Sequence, residues 1–125
     1  MQRHRPVLPG YELCDCCQPT HTGRDYFDYI MLPSGAAVAA VGDVAAKGGS
    51  AASLVDKLSS CVQHHLLTKP TVSEALSGVN AELASDGLGH QFITCVVTVL
   101  DPRQHELRIA NAGHLPPIVR RARRN

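Results

Sequence analysis

The order of apolar patterns predicts an α+β fold in which strands come first, two helices follow and strands return. Three observations carry this expectation. A strand–turn–strand pattern runs from Tyr26 to Val41 around Pro33-Ser34-Gly35, two stretches with helical period occupy 50–85, and a nearly continuous apolar run covers Gln91 to Leu100. The alternation of helix and strand signals is that of layered sheet and helix packing around one core.

Tyr11 to Cys17 reads as a first strand, and Tyr26 to Leu32 with Ala36 to Val41 as a hairpin closed by Pro33-Ser34-Gly35. From Ser50 the period changes: Ala51, Leu54, Val55, Leu58, Cys61, Val62 and Leu66 fall on one face of a helix of four to five turns that ends before Lys69-Pro70. Thr71-Val72-Ser73-Glu74 has the capping-box pattern, in which Thr71 bonds the amide of Glu74, and the next helix runs to about Ser85. Asp86-Gly87-Leu88-Gly89 links it to the apolar run, read as a central strand. Asp101-Pro102-Arg103-Gln104 suits a type I turn, His105 to Ala110 is a strand with one wetter face, and Leu115 to Val119 begins another.

Composition narrows the functional classes. The chain has 125 residues, 44% of them hydrophobic, and a formal net charge of +1, which suits one domain and gives no overall field for nucleic acid or an anionic membrane. Residues 1–10 read as a basic extension, 11–119 as the domain and 120–125 as a basic tail, solvated rather than nucleic-acid-binding. No stretch approaches the roughly 18 apolar residues needed to span a bilayer, and no signal peptide follows Met1. Five cysteines, an odd number, fit a reducing compartment, so a cytoplasmic location is expected. Cys14-x-Cys16-Cys17 with His21 is read as thiols of a strand rather than a zinc site, because no second ligand pair follows.

The chemistry is carried by Gly23-Arg24-Asp25-Tyr26-Phe27-Asp28 and Gly42-Asp43-Val44-Ala45-Ala46-Lys47-Gly48, each placing a carboxylate where a strand meets a turn. The hairpin brings Asp25 and Asp43 to the same end of two paired strands. Two carboxylates with a main-chain carbonyl and waters make a partial oxygen site for Mg²⁺ or Mn²⁺. Taken singly, each acidic segment is an ordinary turn sequence. Gly42 to Ser50 also reads weakly as a phosphate cradle, but Lys47 precedes Gly48, the reverse of a P-loop.

The run GRDYFDYIMLPSGAAVAAVGDVAAKGGSAA, followed in order by Asn80, by Phe92 and Thr94 in FIT, and by Asn111-Ala112-Gly113-His114, resembles the PPM-type (PP2C-like) serine/threonine phosphatase domains of the SpoIIE/RsbU class from about Tyr11 to Val119. The resemblance implies part of a four-layer α-β-β-α sandwich. It also implies two Mn²⁺ or Mg²⁺ ions that activate a water for attack on phosphoserine or phosphothreonine of a signalling protein. By this resemblance Asp25 and Asp43 are catalytic and metal-holding, the Val44 carbonyl is a further ligand, and Asp28, Asn111, Gly113 and His114 are supporting, with Asp28 on the strand face opposite Asp25. A phosphoprotein is the implied substrate, and a regulatory sensor domain or a second copy the implied further partner.

Three departures from the pattern bear on these expectations. The family's later TDG-like and second late aspartates have no counterpart before Asn125, so an incomplete two-ion set and marginal catalysis are expected, and a non-catalytic signalling module is the alternative. Arg24 and Ala46 stand where the pattern has glycine, so Arg24 is expected to crowd its turn or contact a phosphate, and Ala46 to be strained if its φ is positive.

Overall fold

A computed structural model describes residues 4–16, 24–46 and 50–123. The elements are β1 (Asp25–Met31), β2 (Ala37–Ala45), α1 (Ser50–Thr68), α2 (Val72–Ser85), β3 (Phe92–Asp101) and β4 (Glu106–Ala112). The strands form one antiparallel sheet in the order β1-β2-β3-β4. α1 packs on β1 and β2, and α2 packs on α1 and reaches β4, so both helices cover the same face. This is the α+β arrangement expected from the element order.

Local chemistry explains each piece. The β1–β2 turn closes through Leu32 N–H to Ala36 O and Gly35 N–H to Leu32 O, both 2.9 Å, with Gly35 at φ 88, where a side chain is disfavoured. Thr71 caps α2, its Oγ1 accepting from Glu74 N–H at 3.1 Å as the capping box predicts. Alternation along the strands sends Tyr26, Asp28 and Ile30 of β1, Val38, Ala40 and Val44 of β2, and Cys95, Val97 and Val99 of β3 inward. Against them lie Ala51, Leu54, Val55, Leu58, Val62 and Leu66 of α1. Gly42 has a packing reason: a Cβ there would sit 2.5 Å from Thr94 O and 3.2 Å from Tyr26 Cδ1.

Among the described residues, no helix lies on the other sheet face. Phe27 and Tyr29 of β1, Val41 of β2, and Leu107 and Ile109 of β4 lie on it, with Val41 45%, Leu107 46% and Ile109 39% exposed. Residues 11–16 run over this face, Tyr11 bonding His105 Nδ1 through its hydroxyl and Tyr29 donating to Asp15 Oδ1 at 3.3 Å.

Three expectations are corrected. Residues 11–16 are not a strand, because they meet the sheet face through side chains, where no backbone edge is available for a ladder; Cys17 lies outside the described residues. Leu115 to Val119 is not a strand either, since Pro116 and Pro117 have no amide to donate. Asp43 is not at a turn: β2 continues through it to Ala45, held by β1 on one side and β3 on the other. His105, at φ 50, is the one described non-glycine residue with positive φ, so Ala46 carries no such strain and is buried in the core. Of the phosphate-cradle segment, 42–45 is strand and Lys47, Gly48 and Gly49 lie outside the described residues.

Candidate metal and phosphate site

Asp25 and Asp43 are direct cross-strand partners, and Thr94 of β3 is the partner of Asp43 on its other side, so the three share one row across the sheet. Val44 N–H donates to Arg24 O at 2.9 Å, which makes 24/44 a hydrogen-bonded pair. The adjacent pair 25/43 is then of the non-hydrogen-bonded kind, in which the side chains stand closest, with Cβ atoms about 4.5 to 5.5 Å apart. Both carboxylates are exposed and project from the helix-free face. Among the described residues neither has a cationic side chain as partner. Like charges directly opposite one another destabilise a strand pair. The pairing therefore costs stability unless a cation lies between the two.

β4 runs on through Asn111 and Ala112, and Gly113 and His114, which follow it, close over the same row. Asn111 Nδ2 donates to His114 O, and His114 N–H donates to Asn111 Oδ1, both at 2.9 Å, so one side-chain amide clamps both backbone groups of His114. Gly113 takes φ 70, where a side chain would be strained, and bridges to Cys95. Thr94 Oγ1 and His114 Nδ1 are 2.8 Å apart, which fixes the ring and leaves Nε2 for the cavity.

That cavity has a volume of about 600 Å³, and Asp25, Asp43 and His114 line it with Phe27, Val41 and, from the N-terminal segment, Asp15. Arg5 holds Asp15, with Nη2 2.7 Å and Nε 2.8 Å from Oδ1. Burial, and then the charge of Asp15, raise the pKa of Tyr29 above its ordinary value. Cys14 and Cys16 are at the cavity too, and are exposed rather than half-buried in a strand.

Asp28 is placed elsewhere. It is 2% exposed on the helix face and accepts from Ser59 Oγ of α1 at 2.6 Å, so it ties β1 to α1 and does not line the cavity. Val44 is buried, and because a strand residue points its N–H and C=O to the same side, its carbonyl emerges on the β1 side of the strand end. Asp15 and Thr94 are further members of the site: the sequence offers Thr94 only as part of the FIT motif, on one face with Val96 and Thr98, and its place beside Asp43 depends on the β2–β3 register.

Mn²⁺ and Mg²⁺ take six oxygen ligands in near-octahedral geometry. Among the described residues no group of three or more His, Cys, Asp or Glu side chains is placed to hold an ion. Asp25 and Asp43, with the Val44 carbonyl near the same strand end, fit part of the shell of one ion and not two.

Comparison with known proteins agrees with this architecture. A family model described as Stage II sporulation protein E (SpoIIE) matches residues 33–125. The crystal structure of the RsbU and RsbW domains of Rv1364c from Mycobacterium tuberculosis superposes with a TM-score of 0.68 at 30% sequence identity over 80% of the chain. The chain spans 28% of that solved chain.

Proposed function

The chain belongs to the SpoIIE family, and on that basis we propose that it supplies the Asp25/Asp43 side of a Mn²⁺- or Mg²⁺-dependent phosphatase acting on phosphoserine or phosphothreonine in a signalling protein. The observation that carries this is the pairing of two exposed carboxylates on one row, facing a cavity with no cationic side chain as partner among the described residues. A fold that keeps such a repulsion on its surface has a use for a bound cation.

In this reading Asp25 and Asp43 hold the ion with the Val44 carbonyl beside them. Bound there, a divalent ion would supply charge neutralisation for phosphoryl oxygens and would lower the pKa of a water. Thr94 positions the His114 ring, and Asn111 fixes its backbone, so His114 supports the loop over the cavity and sets its Nε2 toward an incoming phosphate. Asp28 is a structural support of the strand that carries Asp25. The partner is a phosphoprotein, with a regulatory domain in the same or another chain; the solved relative carries an RsbW domain beside its RsbU domain. The described free thiols Cys14, Cys16, Cys61 and Cys95 support a cytoplasmic setting. No helix among the described residues is long and apolar enough to cross a membrane.

The two-carboxylate donor set favours one second reading, a signalling module that binds phosphoprotein without turning it over. Hydrolysis of a phosphoserine peptide in Mn²⁺ separates the two. The proposal expects slow, Mn²⁺-dependent phosphate release that Asp43→Asn abolishes. Release that is indifferent to Mn²⁺ and to Asp43 overturns it, and Mn²⁺-dependent peptide binding with no release selects the module.

A further inference from the structure

On the other side of the strand ends that carry Asp25 and Asp43 lies a second cleft of about 530 Å³. Arg24, Ala45 and Ala46 form one wall, and Leu88, His90 and Gln91 of the α2–β3 loop form the other. Its lining among the described residues contains Arg24 and His90 and no carboxylate. Arg24 directly precedes Asp25, and alternation points their side chains to opposite sides of the sheet. Its backbone is fixed, since Arg24 O accepts from Val44 N–H at 2.9 Å. The facing loop is tied down by Gln91 Nε2 donating to Ser50 Oγ at 3.1 Å. No carboxylate pairs with Arg24 among the described residues, although Arg5, Lys57 and Arg108 each have an acidic partner. A guanidinium is a forked donor always charged at neutral pH, and a histidine ring adds an N–H donor in either protonation state.

We propose that this cleft is an anion subsite that takes a carboxylate side chain flanking the phosphoresidue of the substrate polypeptide. A polypeptide whose phosphate lies at Asp25 and Asp43 crosses the end of β1 and β2, and its neighbouring side chains reach Arg24 and His90. Arg24 thereby offsets the acidity of the Asp25/Asp43 row, and selects acidic flanks by charge complementarity rather than by shape. The inference rests on the reading of Asp25 and Asp43 as the phosphate end.

The test is binding of three fluorescent peptides to the 125-residue chain in Mn²⁺: a phosphoserine peptide with Asp flanks, the same peptide with Ala flanks, and the Asp-flanked peptide without phosphate. An exposed ion pair of this kind strengthens binding by about two- to fivefold. The wild type is expected to prefer Asp over Ala flanks by that factor, Arg24→Ala to lose the preference while binding the Ala-flanked phosphopeptide as before, and His90→Ala to reduce it. Equal affinity for both flanks, or a preference that survives Arg24→Ala, overturns the subsite. Failure of the underlying phosphate reading is read separately, as equal binding of phosphorylated and unphosphorylated Asp-flanked peptides. Arg24 is exposed and its backbone bond does not use the side chain, so Arg24→Ala leaves the fold intact, which an unchanged unfolding transition verifies.

Discussion

The Ser59 hydroxyl donates to the Asp28 carboxylate at 2.6 Å, joining α1 to the strand that begins with Asp25. Asp28 is 2% exposed, so this bond serves a buried polar group, for which a lost hydrogen bond leaves a desolvation penalty uncompensated. Ser59→Ala is expected to lower stability by about 1 to 3 kcal/mol. Asp25→Asn, at an exposed position three residues earlier, is expected not to lower it. Urea denaturation of the two variants checks the contrast, and a neutral Ser59→Ala would show that Asp28 does not depend on this bond.

The two helices approach closely where Gly78 of α2 meets His65 of α1. A Cβ at Gly78 would lie 2.4 Å from His65 Nδ1, and Nε2 of the same ring is held by Glu82 Oε2 at 2.8 Å. Helix propensity alone favours Gly78→Ala by about 1 kcal/mol. The clash is expected to reverse the sign, with overpacking costing about 1 to 3 kcal/mol. In a His65→Ala background the same substitution should become stabilising. A double-mutant cycle without that reversal would contradict the packing.

Glu82 also gives a pH dependence. Its pKa lies below the ordinary 4.5, first because of the hydrogen bond with His65 and then that with Cys61. A carboxylate whose folded pKa is depressed stabilises the fold above its unfolded pKa and loses that contribution as pH falls through the folded value. The acid limb of stability below about pH 4.5 is therefore expected to be shallower in Glu82→Gln than in the wild type. Superimposable acid limbs would remove this pair from the account.

Thiol reactivity should divide by burial. Desolvation pushes Cys61 and Cys95 up to about 11, whereas Cys14 and Cys16 are exposed. Since the thiolate is the reactive form, Cys14 and Cys16 are expected to label with a maleimide at pH 7 while Cys61 and Cys95 react only on unfolding. Peptide mapping of the labelled protein decides this.

What was legible in the chain was what short-range chemistry determines. Thr71 and Glu74 announced the start of α2, Pro33-Ser34-Gly35 announced the hairpin, and the hairpin implied that Asp25 and Asp43 would meet. The rest depended on registers that no local pattern encodes. Asp43 looked like a turn residue because Gly42 and Asp43 are turn-forming types, yet β1 and β3 flank it on both sides and extend the strand to Ala45. Thr94 joined the site only through the β2–β3 pairing, and Asp28 found Ser59 only once α1 lay across β1. Residues 11–16 have strand-like alternation but rest on a sheet face, where a ladder cannot form.

In the proposed function, the Asp25 and Asp43 carboxylates that oppose each other across β1 and β2 hold a divalent cation. Thermal or urea unfolding with EDTA and with about 10 mM Mn²⁺, on the wild type and Asp43→Asn, tests it without reference to turnover. A site this sparsely liganded is expected to bind at about 10⁻⁴ to 10⁻³ M, so Mn²⁺ should stabilise the wild type by about 1.4 to 2.7 kcal/mol. Asp43→Asn should be at least as stable as the wild type in EDTA, because the like-charge pair is gone, and should gain nothing from Mn²⁺. Mn²⁺ stabilisation of equal size in both proteins, or a loss of stability on Asp43→Asn in EDTA, would contradict the assignment.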